Sequence, residues 1–363
     1  MVRLGDICTK GSSNIAQKDL DARNGAYPIY GASGFIKNVD FYHQEKPYVA
    51  VVKDGAGVGR VMLLPAKSSV IGTMQYIIPN DDVNVEYLAY ALEKMDLAKY
   101  YSGATIPHIY FKDYCMEELP VHSADEQRQI ASILNQVSIL IDLRKQQLSK
   151  LDELVKARFV EMFGCVENKV PLGETCHVTG GYSFKSDDIS SDGSIRILQI
   201  GNVYLDNVNW DTTNYLPKRY DSIYSKFLLN EGDIVIALTR PIIQSLGNVK
   251  ACIVKSTDLP CLINQRVGRV IIKDVERYFF EYIYGCLMTE DFTRYVESCS
   301  IGCSQPNIST KDIENYSIPK ATYEDQKVYV EFKKQIDKSK LEIKKSLEKL
   351  ETLKKALMQK YFG

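Results

Sequence analysis

The chain is partly written twice, and that limits what it can fold into more than any other feature. Moved by 199 places, Pro107–Gly164 lies over Pro306–Gly363 without a gap. Identities include Pro107/Pro306, Lys112/Lys311, Asp113/Asp312, Pro120/Pro319, Gln127/Gln326, Leu148/Leu347, Leu151/Leu350 and Leu154/Leu353, and both copies close on Phe-Gly. The openings of the two segments also match: Val2-Arg3-Leu4-Gly5-Asp6 resembles Val170-Pro171-Leu172-Gly173-Glu174 at an offset of 168. A period this long is no solenoid repeat; it is the mark of a duplicated domain-plus-helix unit.

The repeated part reads as a long helix. Ser123-Ala124-Asp125-Glu126 has the form of a capping box, and Thr322-Tyr323-Glu324-Asp325 takes the matching place with the shorter acid. Apolar residues then recur at 3/4 spacing. The first copy runs through Ile130, Leu134, Val137, Ile141, Leu148, Leu151 and Val155, the second through Tyr329, Phe332, Ile336, Ile343, Leu347, Leu350, Leu353 and Leu357. Neither contains Pro or Gly before its Phe-Gly end, so each fits a helix of about 35–40 residues, roughly 50–60 Å long. Such a stripe needs cover. The other copy, running antiparallel, is the obvious partner, with packing of each helix on its own globular half as the alternative.

The globular halves read as short strands and turns. Tyr48–Lys53, Val61–Leu64, Gln75–Ile78, Gly232–Leu238, Gly247–Val254 and Val267–Ile272 are strand-like, and shorter helices are expected around Glu86–Lys99 and Glu276–Met288. The expected fold is α+β: two mixed α/β domains separated by two long helices that pair as an antiparallel coiled coil. Its limits are a first domain over 1–122, a helix over 123–164, a second domain over 165–321 and a helix over 322–363.

Composition mainly excludes. With 363 residues, 45% hydrophobic and 25% charged, the chain is ordinary for a soluble protein. No apolar run approaches the roughly 20 residues that span a bilayer. Met1–Asp6 shows neither the basic nor the apolar part of a signal peptide, so a cytoplasmic place is expected. Nine cysteines show no CxxC spacing and are expected as free, mostly buried thiols. A net charge of −1 does not by itself announce a nucleic-acid binder.

Catalytic motifs are equally scarce. Gly55-Ala56-Gly57-Val58-Gly59-Arg60 follows a strand, but Val61–Leu64 after it reads as another strand. Without a helix N-terminus the segment is a glycine-rich connection and no phosphate loop. No Pro-Pro occurs for an amino-methyltransferase tetrapeptide. Glu342-Ile343-Lys344 lies on a solvated helix, and His43, His108, His122 and His177 lack metal-ligand spacing, so no metal site is expected. An autonomous catalyst is not expected.

Local sequence at the junctions points further. Gly103-Ala104-Thr105-Ile106-Pro107-His108-Ile109, then Leu119-Pro120, then Glu126-Gln127-Arg128-Gln129-Ile130-Ala131 is similar to the junction between recognition domain and helix in type I restriction–modification specificity subunits. The second copy keeps Pro306-Asn307-Ile308, Ile318-Pro319 and Asp325-Gln326 but loses the Ile-Ala pair. Gly181–Ser186, Ile197–Asn202 and Gly232–Ile234 resemble one type of recognition domain, and Tyr27–Gly34 the other.

The resemblance implies a non-catalytic subunit that binds double-stranded DNA, each globular domain reading one half of a split, asymmetric site. It implies helices that set the spacing and dock two methyltransferase subunits. No cofactor is then expected in this chain: S-adenosylmethionine belongs to the methyltransferase subunits, and ATP and Mg to restriction subunits that join some complexes. The alternatives are the recognition subunit of a split type II-like or methylation-only system, or a coiled-coil adaptor for protein. Candidate DNA-binding residues are Tyr30, Ser33, Lys37, Lys53, Arg60, Gln75 and His108 in the first half. In the second they are Lys185, Lys218, Arg219, Arg240, Gln244, Gln265 and Arg266.

Overall fold

The computed structural model describes residues 1–103, 107–120, 122–299 and 306–363. Ala104, Thr105 and Ile106 of the junction motif, and Cys303, lie outside the described residues. The chain forms two compact units, one of residues 1–147 with 343–363 and one of residues 148–342.

In the first unit, a four-stranded sheet is built from β1 (Cys8–Ser12), β4 (Tyr48–Val52), β5 (Val61–Leu64) and β7 (Met74–Pro79). Their order is β1-β7-β4-β5 and every pair is antiparallel. A three-stranded sheet takes β2 (Tyr27–Gly31), β3 (Gly34–Val39) and β6 (Ser69–Val70) in the order β3-β2-β6. The β2–β6 pair is parallel. Strand β4 is an unbroken run of apolar residues because both of its faces are covered. Val49 and Val51 join the cluster that holds Leu88, Leu92 and Tyr114, whereas Tyr48, Ala50 and Val52 join Met74, Tyr76 and Val70 on the other side. Helix α1 (Val85–Lys94) supplies Leu88 and Leu92 to the first of these. It is shorter than the expected 86–99: a left-handed Asp96, φ 49°, separates it from a 3-10 turn at Leu97–Tyr100.

The second unit repeats this topology on different residues. Strands β8 (Cys176–Gly180), β11 (Ile234–Ala237), β12 (Ala251–Ile253) and β14 (Val267–Ile272) lie in the order β8-β14-β11-β12, again fully antiparallel. Strands β9 (Ile195–Leu198), β10 (Asn214–Leu216) and β13 (Cys261–Ile263) lie in the order β10-β9-β13, with β9 and β13 parallel. Ile234 and Ile236 face one cluster and Val235 the other, the same period-2 division. Helix α3 (Phe280–Leu287) takes the place of α1.

The long helices are α2 (Ala124–Phe163) and α4 (Tyr323–Phe362). Both caps form. Ser123 Oγ accepts from Glu126 N–H while the Glu126 carboxylate accepts from Ser123 N–H at 2.8 Å, and Asp325 N–H donates to Thr322 Oγ1 at 3.1 Å. The helices pack together antiparallel. In the first unit the early turns of α2 (Ile130, Ala131, Leu134) meet the last turns of α4 (Met358, Phe362). Arg144 donates to Ser346 at 3.3 Å there, and Lys145 faces Glu351 at 3.6 Å. In the second unit Phe159 and Phe163, near the end of α2, pack on Tyr329 near the start of α4, and Lys340 pairs with Asp152.

Val137 and Ile141 are buried and Leu148, Leu151, Ile336, Ile343, Leu347 and Leu350 half-buried, but Leu353 is 46% exposed. The 3/4 stripe places it in the seam. Its neighbour Lys354 packs instead on α1, its ammonium 5.4 Å from the Tyr90 ring centroid and 3.1 Å from Glu93.

Identities between the copies have structural reasons. The Gln127 and Gln326 amides accept from the backbone N–H groups of Asn84 (2.9 Å) and Phe279 (3.1 Å), which lead into α1 and α3. Each also donates to the carbonyl five residues earlier, His122 or Ala321. Pro120 and Pro319 offer their carbonyls to the Tyr87 and Tyr282 hydroxyls. The closing phenylalanines serve opposite domains: Phe362 packs on Tyr87 and Phe163 on Tyr282, both with centroids 5.0 Å apart. The segment openings are tied in by Leu4 N–H to Glu117 O (2.9 Å) and Leu172 N–H to Tyr316 O (2.7 Å).

Five of the eight described cysteines are buried and none is bonded. Burial pushes the Cys8, Cys252, Cys261 and Cys286 thiols up to about 12 and Cys176 to about 11. No helix among the described residues is long and apolar enough to cross a membrane.

Candidate nucleic-acid interface

In the first unit three chain segments are tied into one tip. They are the β2–β3 turn with Ser33, the β4–β5 connection from Lys53 to Arg60, and the segment around His108. Arg60 donates to the Ala32 carbonyl at 2.7 Å, joining the first two. Gly55 N–H donates to Pro107 O and Ile109 N–H to Lys53 O, both at 2.9 Å, joining the last two. The Asp54 carboxylate bridges Lys53, at 3.1 Å, and His108. This aspartate was not among the residues singled out from sequence; it organises two that were.

The glycines of the connection are required by shape. Gly55 and Gly59 have φ of 91° and 85°, and a Cβ on Gly59 would lie 2.6 Å from the Ala98 nitrogen. The run is a strand connection, as its sequence implied.

Ser33, Lys53, Arg60 and His108 are thus brought together, with Tyr30 half-buried at the base against Phe35. Two other candidates are elsewhere. The Lys37 ammonium is spent on the Leu20 carbonyl at 3.0 Å. Gln75 is corrected outright: it is 1% exposed on β7, its amide donating to the Tyr114 hydroxyl. The polar residue in that strand completes the core's hydrogen bonding and has no surface to offer.

The second unit makes its tip with the same backbone bonds. Ile308 N–H donates to Leu238 O at 2.9 Å and Arg240 N–H to Pro306 O at 2.8 Å, matching the Ile109 and Gly55 bonds. Arg240 therefore stands where Gly55 stands, and like it has a positive φ, 48°. An arginine in that region is uncommon, and such strain gathers at functional sites.

Gln244 is exposed on a ribbon formed by Ile242–Ile243 and Asn248–Val249. Gln265 and Arg266 lie exposed in the β13–β14 turn, where Gln265 N–H donates to Tyr182 O at 2.9 Å. Lys185 is exposed one residue past Phe184, a member of an aromatic group with Tyr182, Tyr220 and Tyr224. Lys218 and Arg219 are exposed just before Tyr220, with Arg219 3.9 Å from Asp188.

The turn between β13 and β14 corresponds to Ile71-Gly72-Thr73 in the first unit. Lys53 N–H donates to Thr73 O as Leu238 N–H does to Arg266 O, and Ile71 N–H to Tyr30 O as Asn264 N–H does to Leu198 O. Identical backbone bonds thus carry small and apolar residues in one tip and Asn264-Gln265-Arg266 in the other. Among the described residues, no group of three or more His, Cys, Asp or Glu is placed to hold a metal ion.

The duplicated scaffold carries different polar side chains at its two tips, and comparison with known proteins shows the family it belongs to. The profile described as Type I restriction modification DNA specificity domain matches residues 1–153 and 167–355. The chain belongs to that family. This specificity subunit is 31% identical to the Type I restriction enzyme MjaVIII specificity subunit of Methanocaldococcus jannaschii, over 99% of this chain and 90% of that one. Its fold is that of the type I restriction-modification S subunit from M. genitalium, with TM-score 0.61, 17% identity, and 100% and 95% of the two chains covered. It likewise matches a chain solved to describe complex assembly and conformational transition of the type I R-M system, with TM-score 0.56, 15% identity, and 99% and 96% coverage. Each of the two profile matches covers one globular half and most of the long helix that follows it.

Proposed function

We propose that each recognition domain reads one half of a split, asymmetric DNA site. The paired helices fix the spacing and carry two methyltransferase subunits. The observation that carries this reading is the pair of tips: one strand topology and one set of junction bonds, dressed with different side chains. Two copies of one frame with different polar tips read different bases. In this reading the first recognition domain comprises residues 1–122 and the second 165–321, with the helices over 123–164 and 322–363.

The subunit performs no chemistry of its own. The methyltransferase subunits bring S-adenosylmethionine, and restriction subunits, where they join, bring ATP and Mg. A net charge of −1 fits a subunit that leaves much of the phosphate grip to those partners.

The test uses the full chain with and without its methyltransferase subunits, in retention of DNA carrying or lacking the methylated site. Sequence-specific retention is expected in the complex, and no methyltransferase or nuclease activity in the subunit alone. Replacing Ser33, Lys53, Arg60, His108, Lys185, Lys218, Arg219, Arg240, Gln244, Gln265 and Arg266 together by Ala should abolish that retention. Intact retention would remove these tips from the DNA interface.

A further inference from the structure

The β13–β14 turn of the second domain walls a cleft of about 350 Å³ with Gln199, Ile200 and Gly201 opposite Asn264, Gln265 and Arg266. Three of its side chains turn donors toward it: Asn264 by the backbone group it meets, Arg266 by its own chemistry, and Gln199 by the way it pairs with Asn214. Asn264 Oδ1 accepts from the Arg266 backbone N–H at 3.4 Å. That group can only donate, so the Asn264 oxygen is turned toward the backbone and its amide hydrogens point away from it. Gln199 Oε1 accepts from Asn214 Nδ2 at 2.9 Å, which likewise turns its NH₂ group away from that contact. Arg266 carries donors alone. Among the described residues its guanidinium and the Gln265 amide are tied to no other group, and no carboxylate lines the cleft.

The backbone that carries these donors is held in place. Tyr182 N–H donates to Ile263 O at 3.0 Å, and Asn264 N–H to Leu198 O at 3.0 Å. A Cβ on Gly181 would overlap the Asn264 and Ile263 carbonyl oxygens, so only glycine lets this strand lie so close to the turn. On the facing wall Gln199 N–H donates to Asn202 Oδ1 at 2.9 Å, and the buried Asn202 is tied in turn to the carbonyls of Asn209 and Thr212. Nothing lies within 4 Å of where a Cβ on Gly201 would be, so that wall is unobstructed.

We propose that this cleft reads a guanine edge in the major groove, within the second half of the split site; the inference rests on the reading of the domains given above. A row of donors is complementary to adjacent acceptors. Guanine offers N7 and O6 side by side, whereas adenine sets a donor beside N7, cytosine offers a donor, and thymine sets a methyl beside its one acceptor. Donor facing donor rejects adenine and cytosine. The first domain has Ile71-Gly72-Thr73 at the corresponding turn, so the requirement is confined to one half-site.

The test is to express the full chain with its methyltransferase subunits in cells lacking other modification and to map the methylated sites. One position of the second half-site should be an obligatory G·C pair. Gln199→Glu and Asn264→Asp keep their internal bonds but turn the free NH₂ into an acceptor. Each should lower methylation of the guanine-containing site by about tenfold or more and raise it for adenine or cytosine at that position. Arg266→Ala should relax the same position, with the first half-site unchanged throughout. A second half-site with no invariant guanine would overturn the proposal. So would variants that weaken every sequence alike, as a phosphate contact does, or that alter the first half. If the unaltered complex methylates no split site at all, the domain reading itself fails, and this inference with it.

Discussion

Gln127 and Gln326 show how much one side chain does at the junctions. Each closes a backbone N–H ahead of a short helix and a carbonyl ahead of a long one, from a buried position. Gln127→Leu leaves both groups without a partner, and a stability loss of about 1–3 kcal/mol is expected. Denaturant unfolding followed by fluorescence measures it, and an unchanged midpoint would contradict the assigned bonds. Glu314 is a second such residue. Its carboxylate accepts from Val178 N–H at 2.7 Å and meets His177 Nδ1 at 2.8 Å. The backbone bond above all, and then the histidine, hold its pKa below the usual 4.5. The folded carboxyl therefore keeps its charge to lower pH than the unfolded one. Its stabilisation is complete above about pH 4.5 and disappears as pH falls through the lowered value. Glu314→Gln should lower the melting temperature at pH 7 and flatten its decline below pH 4.5. An acid limb as steep as before would show that the carboxylate contributes nothing.

At the scale of elements, the long helices depend on unbroken backbone. Leu148 is half-buried in the middle of α2. Leu148→Pro removes an internal hydrogen bond and should cost about 3 kcal/mol or more. The complex should lose its spacing preference with it. Circular dichroism and melting temperature check the first expectation, and methylation of sites with altered gap length checks the second. Unchanged helicity would deny α2 its continuity. The seam of α4 shows why its phase needs three dimensions. Leu353 and Lys354 are both able to sit at an interface, since a lysine stem is apolar. Tyr90 and Glu93 decide between them by giving the ammonium a ring and a carboxylate.

At the scale of the whole molecule, two recognition domains on one frame predict modular specificity. Exchanging residues 1–106 for the first domain of another family member should change one half of the target and leave the other intact. Sequencing of methylated sites reads this directly. A hybrid that altered both halves, or a native target that proved continuous and palindromic, would contradict the assignment of one half-site to each domain.

The sequence by itself determined the duplication, the two caps, both long helices and three strands of each four-stranded sheet. These rest on local or repeated signals: a hydroxyl three residues before an acid, a 3/4 apolar stripe, and identities such as Gln127/Gln326 that survive because both copies need the same bond. It did not reveal the strand order that the duplicated halves share from Cys8 and Cys176 onward, because a sheet asks only for alternation and many side chains satisfy it. Tertiary structure alone decided that Gln75 is core and not interface, since its partner Tyr114 is remote in sequence. It alone brought Asp54 to His108, and it alone brought Asn214 to Gln199. A polar side chain's role depends on which groups are left without a partner around it, and those are fixed only when distant segments meet.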